Sequence, residues 1–216
     1  MLSGAGRYAD PWHPFTQTSA RIAGILTETG FDVEVSERVD ERLAALSAND
    51  TAPDLLVVNV GNPGELDTAD AAARAGLLAY LRRGGALLSM HVSSTSFPGI
   101  PEWESILGGI WVRGTTMHPD AGLARITTYP KRHPIVAPVH DFELFDERYS
   151  FMRVADDVVP LASHEHDGLE HPLLWAREYG SARVAYDALG HDGRSFDSAE
   201  HREIIARAAR WLVGEL

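Results

Sequence analysis

The sequence predicts an α/β protein whose sheet is parallel in its first half and gains antiparallel strands in its second. Three observations point there. Two apolar runs fit for buried parallel strands, Asp54 to Val60 and Ala86 to Met90, are separated and preceded by segments with helical spacing. Strand, helix, strand, helix, strand in this rhythm argues for right-handed crossovers. Beyond Gly108-Gly109 the pattern changes to short strand-like runs divided by Pro, Gly and Asp.

The elements follow in order. A first strand hardly exists, since only Met1 and Leu2 precede Ser3-Gly4-Ala5-Gly6-Arg7-Tyr8. Thr16 or Thr18 can cap a helix carrying Ile22, Ile25 and Leu26, which Gly30 terminates. Phe31 to Val35 alternates like an outer strand, and a short helix is expected from Asp40 to Ser47. The Ala- and Leu-rich stretch Asp67 to Arg83 reads as a helix with Ala71, Ala75, Leu78 and Leu81 on one face, stopped by Gly84-Gly85. Pro101 to Leu107 is a short helix. Strand signals follow at Ile110 to Val112, Leu123 to Tyr129, Phe142 to Phe151, Val158 to Ser163 and Ala182 to Tyr186. These are expected to pack on one end of the parallel core. The closing helix has Asp197 at its N-cap with Glu200 three residues on, and buries Ile204, Ile205, Ala208 and Leu212.

Composition narrows the function classes. With 216 residues, 44% of them hydrophobic and 23% charged, the chain is expected to form one domain over residues 1–216. It has no cysteine, which excludes thiolate nucleophiles, disulfides and Cys-type zinc sites. A formal charge of −12 repels phosphate backbones and anionic lipid, so neither nucleic acid nor a membrane is an expected partner. No apolar run approaches the ~20 residues of a membrane span, the N-terminus does not read as a signal peptide, and the expected location is the cytoplasm.

The chemistry must come from histidines and carboxylates. His91 follows the strand Ala86 to Met90, the end at which open α/β sheets hold ligands. Ser89 and Ser93 flank it in an S-x-H-x-S pattern that resembles a nucleophile elbow, where small residues permit the sharp turn from strand into helix. A histidine that simply ends a strand would look the same in so short a pattern. His13, His118, His133 and His191 lie in loop-like contexts beside Pro, Gly or Asp, and Asp146-Glu147-Arg148-Tyr149 adds a carboxylate with a neighbouring phenol, although alternating residues along a half-exposed strand would look much the same. His164-Glu165-His166-Asp167 has metal-ligand spacing, yet beside Gly168 it reads better as a solvated hairpin tip.

Gly6-Arg7-Tyr8, Asp10-Pro11-Trp12-His13, the strand ending in His91, His118-Pro119, His133-Pro134-Ile135, Asp146-Glu147-Arg148-Tyr149, and Pro172, Trp175, Gly180, Arg183-Val184 and Gly190-His191-Asp192 occur in an order that resembles the ThuA family. These are the trehalose-utilisation members of the class I glutamine amidotransferase-like proteins. The resemblance implies a flavodoxin-like sheet with helices on both faces, and puts His91 where amidotransferases keep their cysteine. Glutamine hydrolysis through a thioester is therefore excluded. The turn Gly180-Ser181-Ala182-Arg183-Val184 departs from the family's usual Gly-Lys-Gly-Arg-Val.

The resemblance further implies carbohydrate metabolism, with a small-molecule sugar as partner: acid/base or metal-assisted cleavage of an oxidised (3-keto) disaccharide or glycoside. The candidate catalytic residues are His91, Glu147, His191 and Tyr149. Tyr8, Trp12, His13, His118 and Trp175 are candidates for binding the sugar, and His91, His118 and His191 for holding a divalent metal such as zinc. No nucleotide cofactor is expected, and a homo-oligomer is compatible with the sequence. The competing function is a non-catalytic sugar-binding or regulatory module, in which the aromatic rings stack on pyranose faces and the histidines only hydrogen-bond.

Overall fold

The computed structural model describes residues 1–50, 52–64 and 71–216. Among these residues the main sheet has eight strands, in the order β1 (Leu2–Ser3), β2 (Leu55–Asn59), β3 (Ala86–Met90), β10 (Ala182–Asp187), β9 (Leu169–Tyr179), β8 (Val159–His166), β5 (Gly122–Thr128) and β6 (Phe142–Asp146). A small second sheet pairs β4 (Gly109–Ile110) with β7 (Arg153–Val154). Strands β1, β2, β3 and β10 are parallel neighbours, and every pairing from β10 outward to β6 is antiparallel. Two reversals separate β10 from β8 and two more separate β8 from β6. Strands β3, β10, β8 and β6 therefore all point the same way, and their C-terminal ends share one edge.

The helices are α1 (Phe15–Glu28), α2 (Val39–Ala45), α3 (Ala71–Arg82), α4 (Trp103–Leu107) and α5 (Ala199–Val213). Helix α1 packs beside α5 and α2 beside α3, which gives the two helical layers of a flavodoxin-like α/β fold. The expected faces of α1 and α5 are buried: Ile22, Ile25 and Leu26 on one, Ile204, Ile205, Ala208 and Leu212 on the other. No helix among the described residues is long and apolar enough to cross a membrane.

Several local expectations are corrected. Helix α1 starts at Phe15 behind Pro14, so Thr16 and Thr18 lie inside its first turn and cap nothing. Phe31 to Val35 forms no strand; an isolated bridge joins the next residue, Ser36, to Leu2 of β1. Residues Asp67 to Asp70 of the expected third helix lie outside the described residues. In α3 the buried face is Ala73, Gly76, Leu77, Tyr80 and Leu81, about one position round from the expected stripe. Helix α5 is capped by Ser198, whose hydroxyl accepts the His201 N–H at 3.2 Å, whereas Asp197 pairs with Arg21.

In the second half the extra strands continue the parallel sheet edge to edge instead of packing on its end. Strand β6 stops at Asp146 because the side chain of that residue accepts the next backbone N–H, from Glu147, at 2.8 Å. The longest strand, β9, has no counterpart in the sequence expectations. Pro172 lacks an N–H and breaks its pattern, and is accommodated opposite Ser163 where the β8–β9 register shifts. Asp167 (φ 53°) and Gly168 (φ 73°) form the hairpin turn at the expected place. His164, however, is 3% exposed and so not a solvated tip residue.

Gly76 shows how tightly the helical layer is drawn together. A Cβ there would lie 2.0 Å from the Leu43 carbonyl oxygen of α2. Helix propensity alone would make Gly76→Ala stabilising by about 1 kcal/mol, but the overlap with backbone is the larger effect. The substitution is expected to destabilise by about 1–3 kcal/mol, read as a lowered denaturation midpoint. An unchanged or raised midpoint would contradict this packing.

Candidate functional site

The shared edge of the sheet collects the site. At the end of β3 the chain turns into a short 3-10 segment, His91–Thr95, and His91 takes φ 44°, the left-handed region that a bulky residue occupies only under constraint. Ser93 supplies part of that constraint: its hydroxyl accepts the Val60 N–H at 2.9 Å and donates to the Val60 carbonyl at 3.1 Å. The Tyr186 hydroxyl donates to the His91 carbonyl at 2.7 Å. The His91 ring is tied down at both nitrogens. Nδ1 meets the Ala188 carbonyl at 2.6 Å, and a carbonyl only accepts, so Nδ1 carries the proton. Nε2 then faces the site and accepts the Tyr149 O–H at 2.9 Å.

Three other loops deliver the remaining groups. Ahead of α1, Asp10 accepts the backbone N–H groups of Trp12 and His13, each at 2.9 Å, and both carboxylate oxygens lie 2.8 Å from His13 Nδ1. This local turn leaves His13 Nε2 unprotonated and pointing inward. Beyond β6 comes Glu147, and beyond β10 comes His191. Buried Asp146 clamps these two loops together, accepting the N–H of Glu147 at 2.8 Å, of Gly190 at 2.7 Å and of His191 at 3.1 Å.

The result is a compact group of three imidazoles and one carboxylate. His13, His91, His191 and Glu147 each offer a ligand atom, and these atoms all lie within 4.8 Å of one another. Ring centroids are 5.1 Å apart for His13 and His91, 5.0 Å for His13 and His191, and 5.6 Å for His91 and His191. Glu147 Oε2 is 3.2 Å from His191 Nδ1 and 3.7 Å from His91 Nε2. The first contact is too poorly aligned for a hydrogen bond. His13 Nε2 and His191 Nδ1 are thus buried nitrogens without a hydrogen-bond partner among the described residues, and buried polar atoms rarely stay so. Such a donor set, with a carboxylate behind His13 and a carbonyl behind His91, fits a borderline cation such as zinc.

Burial and charge set the protonation states. Burial pushes the Glu147 carboxyl up, but the His191 and His91 rings outweigh it and hold the group well below the ordinary carboxylate range. His191 is raised by the Glu147 carboxylate beside it, against its own burial. His13 is lowered, first by burial, with the Asp10 carboxylate opposing. Burial drives the Tyr149 phenol well above its usual value, so it stays a donor.

The structure sorts the sequence candidates. His13, Glu147, Tyr149 and His191 line a cavity of about 860 Å³ together with Trp12, Trp111 and His118, and buried His91 lies behind them against Tyr149. His118 stands at the rim, with Nε2 3.6 Å from Glu147 Oε2 and a side chain 36% exposed; of the expected ligands His91, His118 and His191, the group that could hold an ion contains His91 and His191, together with His13 and Glu147. Tyr8 and Trp175 do not line the cavity. Tyr8 is buried with its hydroxyl donating to Asp40 at 2.8 Å. Trp175 is wholly buried, donating to the Leu107 carbonyl at 2.7 Å. Sequence reasoning assigned no role to Asp10 or Asp146, although Asp10 three residues before His13 is the spacing of a side-chain-closed turn.

The chain matches the ThuA family, described as trehalose utilisation, over residues 9–212. The chain belongs to the ThuA family. Solved structures agree on the fold. A ThuA-like protein from Parabacteroides merdae superposes with a TM-score of 0.80 at 20% identity, over 99% of this chain and 88% of that one. A second, from Bacteroides uniformis, gives 0.75 at 16% identity, over 98% and 89%. Part of a beta-galactosidase from Rahnella sp. R3 shares the fold at a TM-score of 0.56 and 15% identity, over 90% of this chain but 26% of that one. No curated protein matches the sequence significantly. Membership of the ThuA family ties this chain to carbohydrate metabolism in general terms.

His164, behind the site in this ThuA protein, makes its state pH-sensitive. Its Nε2 lies 3.1 Å from Ser150 Oγ and 3.3 Å from the Tyr149 carbonyl, and burial lowers its pKa to about 4. The folded form prefers the neutral ring while the unfolded chain protonates near 6.5. Stability should therefore fall as pH drops from about 6.5 to 4 and level off below, by at most about 3 kcal/mol. Denaturation of wild type and His164→Gln across this range checks it: the variant should lose that part of the slope, and identical slopes would refute the assignment.

Proposed function

We propose that this ThuA protein is an enzyme that cleaves an oxidised, 3-keto disaccharide or glycoside by acid/base chemistry assisted by a divalent metal that His13, His91, His191 and Glu147 would hold. The observation that carries this reading is the convergence of four ligand atoms within 4.8 Å at the base of a cavity, two of them buried nitrogens with no hydrogen-bond partner among the described residues. A divalent ion such as zinc, held by these side chains, would supply Lewis-acid polarisation of the ketone.

The chain's own groups account for the protons. In a 3-keto sugar the ketone acidifies the C2–H. His118 lines the cavity outside the ligand set, with its Nε2 3.6 Å from Glu147 Oε2. Its imidazole takes the C2 proton; the electron pair left behind becomes a C1–C2 double bond as the C1–O bond breaks. The same imidazolium then returns the proton to the leaving oxygen on the neighbouring carbon, so a single base suffices. Tyr149, held in its protonated form, donates toward developing negative charge on the ketone oxygen.

Two measurements test the reading. His91→Asn suits the left-handed backbone, which Asn tolerates, and its amide can still meet the Ala188 carbonyl. Melting temperature should change little, while turnover of the 3-keto derivative of trehalose falls about 100-fold or more, because the set that would hold the metal loses one nitrogen. Normal turnover would move the chemistry elsewhere. Zinc titration of tag-free protein should show one site, weakened about 10–100-fold in Asp10→Asn, which lacks the carboxylate that orients His13. Wild-type protein that binds no zinc would remove the metal from the scheme.

A further inference from the structure

The His/Glu cluster lies between two cavities. One is the aromatic cavity of about 860 Å³ already described, and on the other side lies a cavity of about 730 Å³; Trp12, His13 and His191 line both. Each has the size usual for a small-molecule site. Glu147 and Tyr149 line only the first, so the reacting ring belongs there. The second is walled instead by Gln17, Arg21, Asp192, Arg194 and Asp197.

The charges of this second wall cancel in pairs. Arg21 pairs with Asp197, and Arg194 Nε lies 3.0 Å from Asp192 Oδ2 while its guanidinium stacks 3.9 Å above the Phe145 ring. The Gln17 side-chain carbonyl accepts the Gly193 N–H at 3.2 Å, which leaves its amide nitrogen with two protons to offer a ligand. Neutralised guanidinium–carboxylate pairs offer donors and acceptors side by side without net charge. That pattern suits hydroxyl groups, each of which both donates and accepts, and does not suit a phosphate. Trp12, 72% exposed on the ridge between the cavities, supplies an apolar face for the C–H side of a sugar ring.

Building on the proposed function, we propose that the second cavity is a subsite for an uncharged pyranose ring, the one that leaves. The substrate then spans the His/Glu cluster, with its oxidised ring against Glu147 and Tyr149 and its second ring against Gln17, Arg194 and Trp12.

Equilibrium calorimetry with trehalose, methyl α-glucoside and trehalose 6-phosphate tests this without requiring turnover. Wild type should bind trehalose at least about tenfold more tightly than methyl α-glucoside, a difference on the scale of one or two net hydrogen bonds. Gln17→Ala and Arg194→Ala should bring trehalose down to the methyl α-glucoside affinity and leave the latter unchanged. Equal affinities in wild type, or variants that weaken both sugars alike or neither, would overturn the subsite while leaving the carbohydrate reading in place. Tighter binding of trehalose 6-phosphate than of trehalose would overturn the assignment to an uncharged ring. If neither unphosphorylated sugar binds, the carbohydrate reading fails together with the subsite.

Discussion

The site depends on one strained residue being held in place. His91 sits at φ 44°, a conformation that costs a non-glycine residue on the order of 1–3 kcal/mol. What it gains is position: the ring leaves the end of β3 at the one point from which it reaches groups delivered by β6 and β10. The cost is offset by bonds to the residue's carbonyl and to both ring nitrogens. Its carbonyl receives the Tyr186 hydroxyl, Nδ1 meets the Ala188 carbonyl, and Nε2 meets Tyr149, while Ser93 anchors the turn to Val60. The small flanks Ser89 and Ser93 are both fully buried, so larger side chains there would collide with the surroundings.

Buried carboxylates then do for the loops what hydrogen-bond ladders do for the strands. Asp146 receives three backbone N–H groups from two different loops, and Asp10 receives two from its own. Deeper, Asp187 at the end of β10 accepts the Leu189 N–H at 2.9 Å and lies 2.9 Å from His201 Nε2 of α5. A buried carboxylate is costly unless so compensated, and the compensation is directional. Each therefore fixes a loop conformation as well as satisfying its charge. Gly190, at φ 114°, lets the loop carrying His191 turn tightly enough to bring two consecutive N–H groups to Asp146.

Those parts of the fold governed by local pattern were legible in the sequence, and those governed by pairing across the sheet were not. Periodicity located α1, α2, α5, β2 and β3, because each buries a stripe or a whole run against the core. It missed β9, whose Glu170, Pro172, Arg177 and Glu178 break any simple alternation and whose pairing is settled by neighbours on both sides. Residue type favoured Tyr8 and Trp175 as sugar platforms, but an aromatic ring serves a core equally well, and both are buried. His91 was legible because the elbow carries a local steric signature. That His13 rather than His118 joins the cluster was not, since it follows from the Asp10 turn and the path of the loop before α1.

The resemblance to amidotransferases stops at the residue that matters most for chemistry. A thiolate at the elbow would attack a carbonyl; an imidazole whose Nδ1 is spent on a backbone carbonyl presents one lone pair and no transferable proton on that face. Such a group orients a partner or binds a cation. It is surrounded by two more imidazoles whose inward nitrogens have no hydrogen-bond partner among the described residues, and by a carboxylate kept ionised. Three imidazoles and one carboxylate that converge on one point call for a positive charge among them, supplied by a bound cation or by protonation of His191, which Glu147 raises. The fold, which also forms about a quarter of a much longer beta-galactosidase chain, does not specify that need. It arises from four loops at one edge of the sheet.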